Sequence, residues 1–353
     1  MRIRSLAATA FATVAASLTL FASPSPAYAA DSTVLPVLSH WQTIADSDHV
    51  YVSAPGDDAV VATDYDGHVL KTISGLDGAR GMTLSNDGST LYVALPKADA
   101  IAAIDTATLT ETRRFATGAD TAPESVAVAG GKLWFSYQAT VFDAGIGSIS
   151  VADPDPVPAL DPDPEWFGKP QLASSPAVPD RLVAADSANG LGIATYDVSS
   201  GSRQQVAYTD AINSVEDMAI TPDGQTLVTA NGYNYFHQRW RISDLTELTS
   251  YDTGTYPTSV AIASTGMTAA GILGGGNCEC DIYLYPPGST TPVRQIALSW
   301  PNWDLMDRGL AWAQDGSRLF ATRFPYSGEV ILDVISDIQH PSPTGKPTAS
   351  ITR

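Results

Sequence analysis

Short apolar runs alternate with tight polar turns along the chain, in a unit that recurs at a regular spacing. Each unit reads as an apolar strand, a glycine-containing turn and a second strand, as in GMTLSNDGSTLYVAL, SVAVAGGKLWFSY, DMAITPDGQTLVTAN, SVAIASTGMTAAGI and GLAWAQDGSRLFATR. The turn glycines are separated by 43, 93, 42 and 50 residues: Gly88, Gly131, Gly224, Gly266 and Gly316. The interval of 93 residues equals two periods, so we expect a weaker copy within it.

Two weaker copies complete the series. LASSPAVPDRLVAAD turns near Pro179-Asp180 and fills the double interval, and HWQTIADSDHVYVSA turns at Asp48, one period before Gly88. Asp-Gly between alternating apolar runs favours a β-hairpin. A period of about 40–50 residues with several short strands per unit is typical of a β-propeller. The pattern therefore predicts an all-β protein with seven blades.

Each blade is expected to contain four antiparallel strands. A third apolar run such as AIAAIDT or GIATYDV follows the hairpin, and a more hydrophilic fourth such as LTETRRFAT, SRQQVAYT or TPVRQIAL comes next. The rising polarity places the fourth strand at the solvent-exposed rim. Blade seven lacks a fourth strand of its own, so we expect the N-terminal segment TVLPVL (residues 33–38) to close the ring there.

A proline-rich acidic segment, residues 153–164, falls where the rim strand of blade three belongs. Proline is tolerated mainly at sheet edges because it lacks an N–H donor, and acidic edges resist aggregation. We interpret the segment as a blunt rim; an interdomain linker or a metal site is the alternative. Similarly, DYDG at residues 64–67 matches a fragment of a calcium loop, but a hairpin turn explains it better.

The two chain ends have compositions of their own. Residues 1–30 show two arginines, an apolar run and Ala27-Tyr28-Ala29, the order of a secretory signal peptide, with a membrane anchor as the alternative. Residues 31–340 hold the predicted propeller, and residues 341–353 form a Pro/Ser/Thr-rich tail. We therefore expect a secreted, extracellular protein with no stable membrane insertion.

The net negative charge of the chain limits the kinds of partner that it can bind. The chain has 19 basic and 38 acidic residues, and removal of residues 1–30 takes away two arginines and leaves a net charge of −21. Such a surface repels phosphate backbones, so we expect no nucleic-acid partner. Charged residues are only 16% of the chain and hydrophobic residues 44%, which favours a folded core over disorder.

The repeats resemble the YVTN β-propeller family, a WD40-like group of secreted and surface proteins. The motifs are Leu91-Tyr92-Val93-Ala94, Ile104-Asp105-Thr106-Ala107-Thr108, a rim strand ending Phe115-Ala116-Thr117-Gly118, and Leu227-Val228-Thr229-Ala230-Asn231. The resemblance covers nearly all of residues 34–338, with departures in blades one, four and six. It implies the blade but no catalytic residue, because the functions of the family are diverse. The leader and tail are similar to those of secreted actinobacterial proteins.

Familiar catalytic and cofactor motifs do not occur in the sequence. The mature histidines form no H-x-H or HExxH pattern, and there is no G-x-S-x-G elbow, Walker A motif or dinucleotide fingerprint, so we expect no metal and no cofactor. The two cysteines, Cys278 and Cys280, are expected to bridge in an oxidising compartment, although a C-x-C ring is tight and strained.

Equivalent positions at the start of each inner strand should surround one channel mouth. Counting about eight residues back from each turn gives a ring of charged and polar candidates: His40, Arg80, Glu124, Lys169, Glu216, Thr258 and Arg308. They could be salt bridges that tie blades together. As a ligand site, Arg80 and Arg308 would clamp an anion, while Glu216 or Glu124 would act as acceptor or base.

Aromatic residues collect in the loops expected on the same face. The candidates are Tyr233, Tyr235, His237, Trp300 and Trp303, which either contact a ligand or pack between blades. We predict a monomeric, secreted, non-enzymatic propeller that binds a protein, a glycan or a small polar ligand through this loop face. The alternative is a lactonase-like hydrolase or lyase acting at the channel mouth.

Overall fold

The structure is a computed structural model that describes residues 31–338, except for 141, 162–165, 187–191, 213, 274–279, 299–304, 326 and 337. These residues form seven antiparallel sheets, which are the seven predicted blades, and one short 3-10 turn at Pro96–Ala98. No helix in this part of the chain is long and apolar enough to cross a membrane. The signal peptide and the tail lie outside the described residues.

The strands follow the predicted order. The first, β1, is Asp31–Val34. Blade one contains β2 (Gln42–Ala45), β3 (Val50–Ala54), β4 (Ala59–Thr63) and β5 (Val69–Ser74). Blade two contains β6 (Met82–Leu84), β7 (Thr90–Leu95), β8 (Ala100–Asp105) and β9 (Thr110–Ala116). Blade three contains β10 (Val126–Ala129), β11 (Lys132–Gln138) and β12 (Ala144–Ile149).

The second half of the ring is built in the same way. Blade four contains β13 (Gln171–Ser174), β14 (Arg181–Ala185), β15 (Ile193–Asp197) and β16 (Gln204–Thr209). Blade five contains β17 (Val215–Ile220), β18 (Thr226–Asn231), β19 (Phe236–Arg241) and β20 (Glu247–Asp252). Blade six contains β21 (Pro257–Ile262), β22 (Thr268–Ile272), β23 (Ile282–Tyr285) and β24 (Arg294–Ile296). Blade seven contains β25 (Leu305–Trp312), β26 (Leu319–Arg323) and β27 (Ile331–Ile335).

The N-terminal strand completes blade seven, as predicted, but with different bounds. Strand β1 pairs antiparallel with β27, Asp31 opposite Val334 and Val34 opposite Ile331. The strand therefore begins two residues before the predicted Thr33 and ends before Leu35. Leu35 and Val37 are buried in the hydrophobic cluster between blades seven and one. The ring is closed by main-chain pairing at the rim and by apolar packing beside it.

The core consists of seven hydrophobic clusters, and each lies at the junction of two neighbouring blades. The middle strands of a blade contribute residues to the clusters on both of its sides, because their alternate side chains face opposite neighbouring blades. In β7, for example, Leu91 and Val93 pack toward blade one, whereas Tyr92 and Ala94 pack toward blade three. A blade therefore cannot bury both faces unless both neighbours are present.

The rim of blade three is irregular. Two isolated bridges join the chain after β12 to this strand: Ala159 of the proline-rich segment pairs with Ser148, and Trp166, beyond the segment, pairs with Ala144. Arg113 of blade two donates hydrogen bonds from its guanidinium to the carbonyls of Asp153 and Pro154, at 2.7 and 2.6 Å. The segment thus occupies the position of a fourth strand without forming a ladder, because its prolines cannot donate.

The propeller has two distinct faces. The hairpin turns between the first and second strands of each blade lie on what we call the turn face. The inner strands begin on the opposite face, which we call the mouth face, together with the loops that join second and third strands. Inner strands of neighbouring blades contact one another around the whole ring. Their first residues therefore meet around one opening.

Candidate functional site

A cavity of about 240 Å³ lies where the inner strands begin. It is lined by Trp41, Gln42, Gly81, Glu124, Ser125, Lys169, Pro170, Gln171, Leu172, Glu216, Asp217, Met218 and Arg308. Six blades contribute to these walls, and most of the residues precede or open an inner strand. The structure thus brings together four predicted ring residues at one cavity: Glu124, Lys169, Glu216 and Arg308.

One side of the cavity is an ion-pair network. Glu124 accepts a hydrogen bond from Arg80 of blade two, and Lys169 of blade four lies 2.9 Å from the same carboxylate oxygen. Lys169 also donates to the carbonyl of Ala122 at 3.1 Å. Glu124 is thus neutralised by two cations and connects three blades. For Arg80 and Glu124, the salt-bridge interpretation describes the geometry, and the roles of anion clamp and base do not.

Arg308 stands on a distorted part of β25. The pairing of β25 with β26 shifts register between Leu305 and Leu310, and Arg308 has a φ of 56°. Its Nε donates to the carbonyl of Trp41 at 3.1 Å, and its Nη1 donates to the carbonyl of Glu216 at 2.7 Å. Among the described residues, no carboxylate oxygen lies within 4.0 Å of its guanidinium. The charge of Arg308 is therefore held in place without being neutralised.

The indole of Trp41 contacts two guanidinium groups. Arg308 of blade seven and Arg80 of blade two each lie 4.4 Å from the centre of this ring, and Trp41 belongs to the blade between them. Cation–π contacts of this kind contribute about 0.5–2 kcal/mol each. Trp41 therefore fixes the position of both arginines at the cavity.

Two carboxyl groups of the cavity, Glu216 and Asp217, have no ion-pair partner among the described residues, and of these Glu216 also accepts no hydrogen bond from them. Burial raises its pKa to about 7, the charges of Asp307 and Asp217 act in the same direction, and Arg308 opposes them. The side chain sits at a bulge of β17, where the pairing shifts between Val215 and Asp217. Near neutral pH this carboxyl can therefore either donate or accept a proton.

The neighbouring Asp217 has a structural role. It accepts hydrogen bonds from the amide of Val260 at 2.8 Å and from the hydroxyl of Ser259 at 3.0 Å. Burial raises its pKa to about 6, although these hydrogen bonds oppose the shift. Both bonds are accepted by Oδ2, and Oδ1 accepts from the amide of Met218 at 2.8 Å. Asp217 thus connects the inner strands of blades five and six with both of its oxygens hydrogen-bonded.

Two members of the predicted ring are placed elsewhere. His40 is buried and does not line the cavity; its Nε2 lies 2.9 Å from Thr43 Oγ1, which in turn contacts Thr322 at 2.7 Å. Burial lowers the pKa of His40 to about 3, and Arg308 adds to the shift, so the ring is neutral. Thr258 is also buried and donates to Asp307. Both positions connect neighbouring blades.

The loop-face aromatics divide into three outcomes. Tyr233 and Tyr235 are 76% and 64% exposed, so they do not pack between blades. The expectation that His237 lies in a loop is wrong: β19 begins at Phe236, and this strand buries His237 completely. Its ring contacts Thr253 Oγ1 at 3.0 Å and the carbonyl of Ser259 at 3.1 Å, and burial lowers its pKa to about 4. Trp300 and Trp303 lie outside the described residues.

Two smaller expectations have separate outcomes. Cys278 also lies outside the described residues, so the bridge to Cys280 stays a prediction. Asp64, Asp66 and His68 do bring ligand atoms within 4.8 Å of one another. However, Asp64 accepts hydrogen bonds from the amides of Asp66 and His68, each at 2.9 Å, and Asp66 pairs with Arg318. This is the predicted turn between the third and fourth strands of blade one.

Sequence reasoning missed several residues of the cavity. Trp41 and Gln42 come directly after the counted His40, and Asp217 follows Glu216. Gln171 lies two positions after Lys169 and donates to the carbonyls of Val215 and Glu216, at 2.7 and 2.8 Å. A window of two residues after each counted position would have included all of them. In β17 a bulge accompanies this displacement, whereas β2 and β13 pair with their neighbours in regular register.

Comparisons with known proteins define the fold alone. No family model matches the chain, and neither does any curated protein. A chain of the Kuenenia stuttgartiensis hydrazine synthase structure is 14% identical, with a TM-score of 0.65 over 87% of this chain and 97% of that one. Streptogramin B lyase is 14% identical, with a TM-score of 0.66 over 86% and 96%. The Myceliophteria thermophila Cps50 β-propeller domain is 13% identical, with a TM-score of 0.65 over 86% and 98%. Similar solved structures thus include enzymes and a β-propeller domain, and this chain has the WD40-like propeller fold.

Proposed function

We propose that the protein binds a small polar ligand in the cavity of the mouth face. The observation that carries the proposal is the pair Glu216 and Arg308. Both line the cavity, they come from different blades, and neither has an ion-pair partner among the described residues. Partly buried charges without partners are costly, and a ligand with complementary groups would recover that cost.

The remaining polar groups narrow the chemistry of the ligand. Gln42 accepts from the amide of Met82 at 2.6 Å, and Gln171 already donates to two carbonyls, so these amides are partly used by the fold. Arg308 keeps Nη2 without a hydrogen-bond partner in the described part of the chain. The ligand then offers a carboxylate or another acceptor to Arg308 and a hydroxyl group to Glu216.

Calorimetric titration of the purified full chain tests this proposal. The probes are gluconate and galacturonate as hydroxylated acids, with glucose as the neutral counterpart. We expect Glu216→Gln and Arg308→Gln each to weaken binding about tenfold or more, since a hydrogen bond to a charged group contributes about 1.5–3 kcal/mol. The control is Arg241→Gln, an exposed arginine paired with Asp244 on the turn face. Binding that is unaffected by both cavity variants would show that the site is wrong.

A hydrolase or lyase of lactonase type is the second candidate. The observation in its favour is the carboxyl of Glu216, whose pKa of about 7 suits general acid–base catalysis at neutral pH. A panel of lactones tests it directly. Turnover that is lost in Glu216→Gln and follows a pKa near 7 would establish catalysis; substrate binding without turnover would favour the binding protein.

We further propose that the chain is a secreted YVTN-type propeller released after cleavage of residues 1–30. The support is the order of charged, apolar and small residues at the N-terminus and the YVTN-like strands of blade two. N-terminal sequencing of the secreted protein should begin at or beside Asp31. A full-length chain retained in the membrane fraction would contradict secretion.

A further inference from the structure

Exposed aromatic side chains are distributed unequally between the two faces. Every phenylalanine and tyrosine that is strongly exposed among the described residues lies in a loop or at a strand end of the mouth face. The turn face carries acidic and small polar residues instead. Exposed aromatic clusters on a soluble protein mark binding surfaces.

Three of these residues, Tyr233, Tyr235 and Tyr256, lie in two adjoining loops and are called here the tyrosine platform. The exposed fractions of the side chains are 76%, 64% and 46%. The loops are joined by hydrogen bonds from the amide of Gly254 to the carbonyl of Tyr235, at 3.0 Å, and from the amide of Tyr256 to the carbonyl of Asn234, at 3.2 Å. The backbone that carries the rings is therefore preorganised, which lowers the entropic cost of binding.

Within the described part of the chain, the three tyrosine rings do not pair with other rings in the core. Among the residues that the structure describes, none offers a hydrogen bond to the hydroxyl of these three tyrosines or a ring contact to their side chains. A tyrosine that served the fold would bury its ring and pair its hydroxyl. More than half of the surface of Tyr233 and Tyr235, and nearly half of that of Tyr256, is thus accessible to a ligand.

Tyr256 also carries backbone strain. It has a φ of 60° and precedes Pro257, a combination that favours glycine and opposes a side chain with a Cβ. Its conformation is held by the amide bond to Asn234 and by the amide of Leu273, which donates to its carbonyl at 2.8 Å. Strain that the surrounding structure maintains is concentrated at functional sites.

The platform is continuous with the cavity. Val215 pairs with Asn231, so Glu216 lies beside the start of the loop that carries Tyr233 and Tyr235. A Cβ added at Gly232 would lie 3.4 Å from the carboxyl oxygen of Glu216. The carboxyl thus lies beside Gly232, the residue that precedes Tyr233 in the chain.

We infer that the mouth face binds a carbohydrate chain, with the terminal sugar in the cavity and the following sugars stacked on the tyrosine platform. The inference rests on the proposed function of the cavity. Sugar rings offer apolar faces to aromatic side chains and hydroxyl groups to Glu216 and Arg308. A protein partner would instead need an apolar pocket for an anchoring side chain, whereas the walls here are mainly polar.

Titration with sugars of increasing length tests the inference. The probes are galacturonate oligomers and cello-oligosaccharides, each from the monosaccharide to the hexasaccharide. We expect the full chain to bind the trisaccharide of one series about tenfold more tightly than its monosaccharide, because one stacked ring contributes on the order of one hot-spot contact. The double variant Tyr233→Ala, Tyr235→Ala should lose this gain and keep its affinity for the monosaccharide.

The control is Tyr208→Ala, a tyrosine of β16 that is 47% exposed and lies outside the platform. It should keep the gain. Affinity that is independent of chain length, or a gain that survives the double variant, would overturn the inference while leaving the cavity proposal intact. Absence of binding to every sugar would also overturn it, and the titration with gluconate, which has no sugar ring, would then decide the cavity proposal separately.

Tyr256→Gly separates binding from folding. Glycine relieves the positive φ, so we expect an unchanged or higher melting temperature together with a loss of the length-dependent gain. A variant that melts lower, or one that keeps the gain, would show that Tyr256 belongs to the fold and not to the platform.

Discussion

Strands end at both the turn face and the mouth face, but the residues at these ends are stabilised in opposite ways. On the turn face, Asp87, Asp223 and Asp315 each accept the backbone amide two residues ahead, at 3.1, 3.0 and 2.9 Å. The following glycines adopt φ values of 74°, 71° and 71°. The pKa of each aspartate is lowered, mainly by a hydrogen bond from a neighbouring serine or threonine hydroxyl. Residues within the same turn thus satisfy these three carboxylates.

On the mouth face, hydrogen bonds within the same turn do not satisfy all of the strained and charged groups. Several of the positive φ values there fall on residues with side chains, among them Ala122, Ser214, Tyr256 and Arg308, and others fall on glycines such as Gly118 and Gly254. Burial raises the pKa of Glu216 instead of lowering it. Arg308, for example, is held by the carbonyls of Trp41 and Glu216, which belong to two other blades. The difference shows that the turn face maintains the repeat, whereas the mouth face uses stability from the ring to hold reactive and strained groups.

Opening the ring should have the largest effect on both faces. Deletion of residues 31–38 removes β1 and the buried Leu35 and Val37. We expect a loss of about 3–6 kcal/mol in the free energy of unfolding and a fall of about 10 °C in melting temperature. Calorimetry measures it. Val34→Ala, at a side chain that is 55% exposed, is the control, and equal melting of the deletion and the wild type would refute closure by β1.

Turn glycines should differ according to what surrounds them. A Cβ at Gly224 would lie 2.6 Å from Val178 Cγ1, whereas a Cβ at Gly88 would have no atom within 4 Å. Gly88→Ala should cost about 1–2 kcal/mol from its positive φ alone, and Gly224→Ala about 1 kcal/mol more from overpacking. Urea denaturation measures both. Equal losses would mean that the blade-to-blade contact at Gly224 relaxes.

Glu216→Gln should change the pH dependence of stability. The folded pKa of about 7 lies above the ordinary value of 4.5, so the wild-type contribution is full below pH 4.5 and is lost as the pH rises through 7. The glutamine variant lacks this loss. Because the Glu216 carboxyl is partly solvated, the effect is smaller than the full pKa shift implies. We expect the free energy of unfolding of the variant to rise by about 1–2 kcal/mol relative to that of the wild type between pH 4.5 and 8. Parallel curves for the two proteins would contradict the raised pKa.

Asp87→Asn should have the smallest effect, with the opposite sign of pH dependence. The pKa of Asp87 is lowered to about 2, mainly by the hydroxyl of Ser85, so its contribution is present above the ordinary value of 3.8 and is lost as the pH falls through 2. The variant should melt slightly lower at neutral pH and show a flatter acid limb. A larger effect than that of Glu216→Gln would reverse the contrast between the faces.

The sequence predicted the ring well because the information for it is local. Asp-Gly turns and alternating apolar runs define each hairpin, and their period counts the blades. The cavity was predicted less completely, because its residues meet across blades. No local pattern shows that Glu124 pairs with both Arg80 and Lys169, or that bulges near Glu216 and Arg308 shift the inward-facing positions. His237 was misplaced because a polar strand start resembles a loop.

The blunt rim of blade three has a consequence for how this propeller can vary in length. In a regular rim strand, one inserted residue moves every later side chain to the opposite side of the sheet. Among the described residues, the chain beside β12 makes only isolated bridges, at Ala159 within the segment and at Trp166 beyond it, so it has no continuous register to lose. Residues added between Pro154 and Pro158 would leave the alternation of β12 unchanged. Blade three is therefore the place where a tag or a second module can be grafted without repacking the ring.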